Sequence, residues 1–318
     1  MLRNLWRAAL CLALLPSAHA QNWPDRPITI VVPFPAGGSI DAVMRAISPP
    51  LGERLGQTVV VENVGGASGA IGAARVAHAT ADGSTLLAGS INDVVLQPIL
   101  NPKLRYRQED LTPIALAFTS PLVLVARKDL PQKDVDAIVD ALRMAPESLS
   151  FGSPGQGTFQ HLVMAEFQRL TGTRMLHVPY KGAAPLVNDV LGGQVDLAVM
   201  APPTALPYIQ QGRLKSLGVI SRARLAAYSD LPTINEGRSV RGMEMEGWVG
   251  LLAPRGVPAD RQERLRAAFA EVLQRPDVRS RVAAMGMEAA LAFDGPSFEK
   301  RIADDDKAMR ALNINLQN

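Results

Sequence analysis

Ile28-Thr29-Ile30-Val31-Val32-Pro33-Phe34-Pro35-Ala36-Gly37-Gly38-Ser39-Ile40-Asp41 is the stretch on which the fold turns. A short β-branched run enters a turn with paired glycines, and apolar residues then recur at Ile40, Val43, Met44, Ile47 and Leu51, the spacing of a helix with one buried face. Strand, tight turn and helix follow one another without a break. Paired glycines at such a turn let backbone amides approach a ligand closely, and a helix N-terminus adds partial positive charge, so an anion such as a carboxylate suits the place. Asp41 then caps or braces the turn, since a free carboxylate there would repel the guest. An ordinary glycine turn with Ser39 as N-cap is the competing reading.

The same grammar continues on both sides of this stretch. Runs at Val59–Val61, Leu86–Ala88, Leu122–Val125, Leu149–Phe151, Met175–Val178, Leu197–Met200 and Leu214–Val219 alternate with helical patterns such as Val135, Ile138, Val139 and Leu142. That alternation predicts an α/β protein with mainly parallel sheets. From Asp260 onward the pattern is two or three amphipathic helices with no later strand, which suggests that they pack back onto an earlier sheet. A chain that starts in one lobe, builds a second and returns has two crossing segments, expected around Ser120–Val125 and Gly218–Arg222. The resulting division is residues 21–119 with 223–318 as one lobe and 120–222 as the other.

Further turns share the glycine-rich design. Val64-Gly65-Gly66-Ala67-Ser68-Gly69-Ala70-Ile71-Gly72 follows the second strand but lacks both G-x-G-x-x-G and a Walker-type G-K-S/T, so nucleotide binding is rejected there. Ser68 and its neighbours either offer more amides to a cleft or merely permit close helix-to-sheet packing. In the second half, Ser153, Gly155, Gly157 and Thr158 form a turn between a strand and a helix. Tyr180-Lys181-Gly182 supplies another, with a phenol and an ammonium that either attracts an anion or is simply solvated. Anion-receptive turns in separate halves point to a ligand held between lobes.

No nucleophile elbow and no H-E-x-x-H spacing occurs, so neither catalytic residues nor a metal or other cofactor is expected. His161, in a helical pattern, and His177, in a strand, read as structural. Met1–Ala20 reads as an export signal, with Arg3 and Arg7 before an apolar run and Ala18-His19-Ala20 as the cleavage site, so the mature chain begins near Gln21 outside the cytoplasm. Cleavage removes two of the 33 basic residues, none of the 30 acidic ones and the sole cysteine, Cys11. The near-neutral remainder indicates no nucleic-acid partner and no membrane insertion. About 298 residues remain, enough for two ordinary domains.

Taken together, Trp23-Pro24-Asp25-Arg26-Pro27-Ile28, the Val32–Gly38 turn with Asp41, Val59-Val60-Val61-Glu62-Asn63, Ala81-Asp82-Gly83, His177-Val178-Pro179-Tyr180-Lys181-Gly182, Leu191-Gly192-Gly193-Gln194-Val195-Asp196 and Gly250-Leu251-Leu252-Ala253-Pro254 resemble the solute receptors of the tripartite tricarboxylate transporter, the Bug family. The resemblance implies a two-lobed periplasmic-binding-protein fold of type II-like topology, each lobe a sheet flanked by helices, closing on a small organic acid for delivery to integral-membrane permease subunits. It implies a monomeric periplasmic receptor and no enzyme. Amides of Ala36, Gly37, Gly38 and Ser39 would grip one carboxylate, in a site extending to Phe34. Ser90, Asn92, the 153–158 turn and Tyr180, Lys181 and Gly182 would line the rest. Many members carry Asp or Asn where Ala201 stands here, so a dicarboxylate or an aromatic acid is favoured over an amino acid. An exported enzyme acting on a carboxylated substrate and a solute sensor for a signalling partner are the alternatives.

Overall fold

The computed structural model describes residues 23–224, 229–285, 287–289 and 295–312. The export signal expected over Met1–Ala20 lies outside the described residues. Strand β1 (Ile28–Val32) runs through the glycine turn into α1 (Ser39–Leu55). Ile28, Ile30, Val31 and Val32 are fully buried, as in a strand covered on both sheet faces, and Val43, Met44, Ile47 and Leu51 bury the stripe of α1 that their spacing marks. Then come β2 (Val59–Asn63), α2 (Ala70–Ala77), β3 (Thr85–Ser90), a single π-helical turn (Asn92–Leu96) and β4 (Leu111–Pro121).

A second unit comprises β5 (Val123–Arg127), α3 (Val135–Met144), β6 (Ser150–Ser153), α4 (Phe159–Thr171), β7 (Leu176–Pro179), α5 (Ala183–Leu191), β8 (Leu197–Met200), α6 (Pro202–Gln210) and β9 (Leu214–Val219). The chain closes with β10 (Glu246–Pro254), α7 (Ala259–Gln274), α8 (Pro276–Ala284), β11 (Glu288–Ala289) and α9 (Gly295–Ala311).

The strands form a six-stranded sheet, β11-β4-β10-β3-β1-β2, and a five-stranded sheet, β7-β6-β8-β5-β9. The α/β, two-lobed architecture is as expected, with one correction: both sheets are mixed. Each has a parallel three-stranded part, β2-β1-β3 and β7-β6-β8, joined to antiparallel strands that enter or leave by the crossovers. Of the crossing strands, only those that arrive are reversed: β5 runs opposite to β8 and β9, and β10 opposite to β3 and β4, while β4 and β9 keep the direction of the parallel strands. The C-terminal helices pack on the first sheet as read, but β11 adds a strand where none was expected. Two residues antiparallel to β4 are too few to write an alternating pattern.

Helices α1, α7 and α8 cover one face of the first sheet, joined through Met44, Ile47, Leu265, Phe269 and Val278. The other face, carrying α2 and α9, shares a continuous apolar cluster with the second sheet, from Val31 and Leu87 through Ile91, Leu122 and Ile220 to Phe151 and Phe167. The lobes therefore meet at a packed hinge. The chain passes from β4 of the first sheet to β5 of the second at Pro121–Leu122. The return comes later than Gly218–Arg222: Thr233 bridges to Val219, and the amides of Arg238 and Ser239 donate to Asp136 on α3, so the chain remains on the second sheet until shortly before β10. Among the described residues no helix is long and apolar enough to cross a membrane.

Candidate functional site

The first amides of a helix have no partner within it. At α1 the N-cap is Gly38 and no side chain caps it, so Ser39 is the first helical residue and does not serve as the cap. Asp41 braces the turn: its carboxylate accepts from Gly37 N at 3.0 Å and from Arg45 Nε at 2.9 Å. Arg45 also donates to Asn63 Oδ1 at 3.0 Å, and Asn63 Nδ2 donates to Phe34 O at 3.2 Å. Burial pulls the Asp41 carboxyl upward, but the bonds from Arg45, Gly37 and Asn63 outweigh it and hold it below the usual carboxylate range. Its charge is thus spent on Arg45, and the amides beyond Gly38 face outward with their partial positive charge intact.

They face a cavity of about 80 Å³ whose walls come from both lobes: Phe34, Pro35, Ala36, Gly38, Ser39, Ile40, Asp41 and Asn92 from one, Pro154, Thr158, Gln160, Ala183 and Ala184 from the other. On the second lobe, α5 begins at Gly182 with φ of 122° and no side-chain cap, so its opening residues Ala183 and Ala184 bring a second uncapped N-terminus to the same hollow. A more open hollow next to it is lined by Gly37, Gly38, Ser39, Ala183, Ala184 and Thr204, among others. Behind the cavity a smaller chamber of about 60 Å³ holds Ser90 and Ala201 in its wall.

The lobes touch across this cleft. Asn92 Oδ1 accepts from Phe159 N at 2.5 Å, and Ser68 Oγ donates to Gln156 O at 2.8 Å. A Cβ placed on Gly182 would lie 3.2 Å from Pro35 Cγ, so the two turns close against each other only because that position has no side chain. At Gly72 a Cβ would lie 2.8 Å from Pro33 Cα, so the Val64–Gly72 turn serves helix-to-sheet packing there while Ser68 reaches the opposite lobe.

The structure thus gathers Phe34, Ala36, Gly37, Gly38, Ser39, Asp41, Ser90, Asn92, Thr158 and Ala201 around these connected hollows. Other predicted residues face elsewhere. Ser153 is fully buried, its Oγ donating to Gly155 O at 2.9 Å and lying 2.7 Å from His177 Nε2. The contact lies inside the second lobe, where the His177 ring also stacks on Phe151 and His161. Thr158 Oγ1 donates to Gly155 O at 2.8 Å and caps α4, and His161 Nδ1 accepts from Gly157 N at 3.2 Å. Tyr180 gives its hydroxyl to Asp189 at 2.7 Å inside its own lobe, and Lys181 is exposed. Gly155, Gly157 and Gly182 act by close approach between the lobes and within the turn.

Four residues of consequence escaped sequence reasoning: Gln160, Ala183, Ala184 and Trp248. The small residues after Gly182 were a usable signal, because they leave helix-end amides approachable. Gln160 carried none, being one polar residue in an amphipathic helix; yet its Oε1 is buried without a hydrogen-bond partner.

The sequence model of the family described as "Tripartite tricarboxylate transporter family receptor" matches residues 43–316. A UPF0065 protein from the tcbD-tcbE intergenic region of Pseudomonas sp. (strain P51) is 38% identical over 288 residues, covering 89% of this chain and 85% of that protein. Among solved structures, MatC from Rhodopseudomonas palustris with bound malate is similar at 31% identity and a TM-score of 0.85, covering 91% of this chain and 99% of its own. An R. palustris protein solved with adipate is 30% identical with a TM-score of 0.87, covering 91% and 96%.

Proposed function

The chain belongs to the tripartite tricarboxylate transporter receptor family, and on that premise we propose that it is a periplasmic receptor that captures one small organic acid between its lobes and delivers it to integral-membrane permease subunits. One observation carries the reading: two uncapped helix N-termini, α1 and α5, come from different lobes to a single cavity with no lysine or arginine in its wall among the described residues. Backbone amides and helix ends favour a carboxylate there without a side-chain cation. Two of the similar structures hold the carboxylic acids malate and adipate. The protein works as a monomer with lobes on either side of Pro121–Leu122 and of the segment before Glu246, and it releases its ligand unchanged.

Ligand bound to both lobes shifts an open–closed equilibrium toward the closed form, which is the form a permease would recognise. The test is calorimetric titration of the mature chain with a panel of small carboxylates, which should give one site per chain. Gly38→Leu is the decisive variant. A Cβ there meets only Pro35 O at 3.7 Å and the backbone φ of −80° suits any residue, so the protein should fold normally while the leucine fills the cavity and abolishes binding. Full affinity in that variant would remove the α1 turn from the site.

A further inference from the structure

Behind the cavity, and sharing Ser39, Ile40, Asn92 and Gln160 with it, lies the second chamber. Its depth is apolar: Trp248, Phe118, Phe159, Leu122, Ile91 and Met287, all buried. The indole Nε1 of Trp248 already donates to Asp305 at 2.6 Å, so the chamber receives only hydrocarbon from that ring. The Ser90 hydroxyl is likewise committed, donating to Asp93 Oδ1 at 2.6 Å. Among the described residues no lysine, arginine or histidine lines either hollow. A carboxylate pushed into the chamber would lose its hydration with no cation to replace it. An ammonium would fare no better, since among the described residues the one acidic side chain in these walls, Asp41, is already paired with Arg45. At the junction of the two hollows stands Gln160, whose Oε1 is covered by protein and has no hydrogen-bond partner among the described residues, an acceptor that a turn of the side-chain amide would present to a guest's donor.

On the receptor reading above, which this inference deepens, we infer that the ligand is a hydroxylated monocarboxylic acid with an aromatic or compact apolar body. Its carboxylate lies at the α1 and α5 ends, its body enters the Trp248 chamber, and its hydroxyl donates to Gln160 Oε1. The two hollows of about 80 and 60 Å³ together hold on the order of ten waters at ~10–15 Å³ each. That is the size of a single-ring acid. A dicarboxylate that enters the Trp248 chamber places its second charge where the wall offers hydrocarbon.

The experiment is titration of benzoate, its three monohydroxy isomers, mandelate, phenylacetate and succinate into the mature protein and into Gln160→Leu and Gln160→Met, each checked for native circular dichroism. The best hydroxylated acid should bind wild type about 2- to 10-fold more tightly than its counterpart without the hydroxyl, the range for one net hydrogen bond. Both Gln160 variants should lose that preference while keeping their affinity for the unhydroxylated acid. Succinate binding more tightly than every ring acid would overturn the inference and leave the receptor reading standing. A hydroxyl preference that survives in both variants would remove Gln160 from the recognition. If no acid in the panel bound, the inference and the receptor reading would fall together.

Discussion

His161 and His177 stack at 3.8 Å between ring centroids under the turn that opens α4, and burial holds both down to about 4, with the charge of His177 also acting on His161. In the opposite lobe, burial pushes the Asp93 carboxyl up to about 7 against the hydrogen bonds from Ser90. Both kinds of group shape stability against pH. Between pH 4 and 6.5 the unfolded chain, with histidines titrating at 6.5, binds two protons that the folded chain refuses. Over the same window the folded chain keeps the Asp93 proton that the unfolded chain has released, so unfolding takes up a net one proton and stability must fall as pH falls. From 6.5 to 7 only Asp93 differs, and stability declines slightly as pH rises. Urea unfolding across pH 4–8 should therefore show a maximum near 6.5, and Asp93→Asn should steepen the acid-side slope about twofold by leaving the two histidines unopposed. An unchanged slope in that variant would mean that Asp93 is ionised in the folded protein. At this scale the bracing role of Asp41 was legible from sequence, because Gly37 and Arg45 lie within a few residues of it. The partner of Tyr180, Asp189, was not, since nothing in the spacing distinguishes it from an exposed helical acid.

Among elements, three glycine-rich strand-to-helix turns look alike in sequence and do different work. The α1 turn spends only the Gly37 amide, on Asp41, and keeps those beyond Gly38 open, whereas the α4 turn spends its amides: Thr158 caps it, His161 takes the Gly157 amide, and Asn92 of the other lobe takes the Phe159 amide. The second open helix end comes instead from α5, where Gly182 provides no side chain to cap it. At α6 two consecutive prolines, Pro202 and Pro203, remove donors from the first turn, so that end offers little to an anion. The C-terminal helix α9 has a different task, supporting the chamber from behind. Phe298 is fully buried and meets the Trp248 ring edge-on at 5.1 Å. Gly250 leaves room for it, since a Cβ there would lie 2.3 Å from Phe298 Cζ. Phe298→Ala should cost about 3–5 kcal/mol of stability by denaturant unfolding. A loss under about 1 kcal/mol would show that the surrounding residues collapse into the space, an outcome at odds with close packing around Trp248.

For the whole molecule, a few cross-cleft contacts stand beside a continuous apolar core shared by the two sheets. The Ser68–Gln156 and Asn92–Phe159 hydrogen bonds exist only when the lobes meet. Each is worth about 0.5–1.5 kcal/mol net. Ser68 contributes no wall to the cavity or the chamber behind it, so Ser68→Ala reports on closure alone. It should weaken ligand binding about 2- to 10-fold through faster dissociation, and small-angle scattering at equal ligand concentration should give a larger radius of gyration than wild type. Unaltered dissociation would show that the ligand by itself holds the lobes together.

Local features were written in the residues alone: strands and helices from their apolar periods, a glycine turn leading into an uncapped helix at Gly38, and an α/β chain with helices returning at its end. These follow from forces acting over a few residues, which composition and spacing record directly. Which helix ends share a cavity, that the arriving strands run antiparallel, that the α4 turn closes the lobes, and that Gln160 stands unpaired beside a Trp248 chamber were decided by tertiary structure. Those facts join residues 50 to 150 positions apart in rough terms, and only the packing of two sheets about a common hinge brings such groups within hydrogen-bond or van der Waals reach.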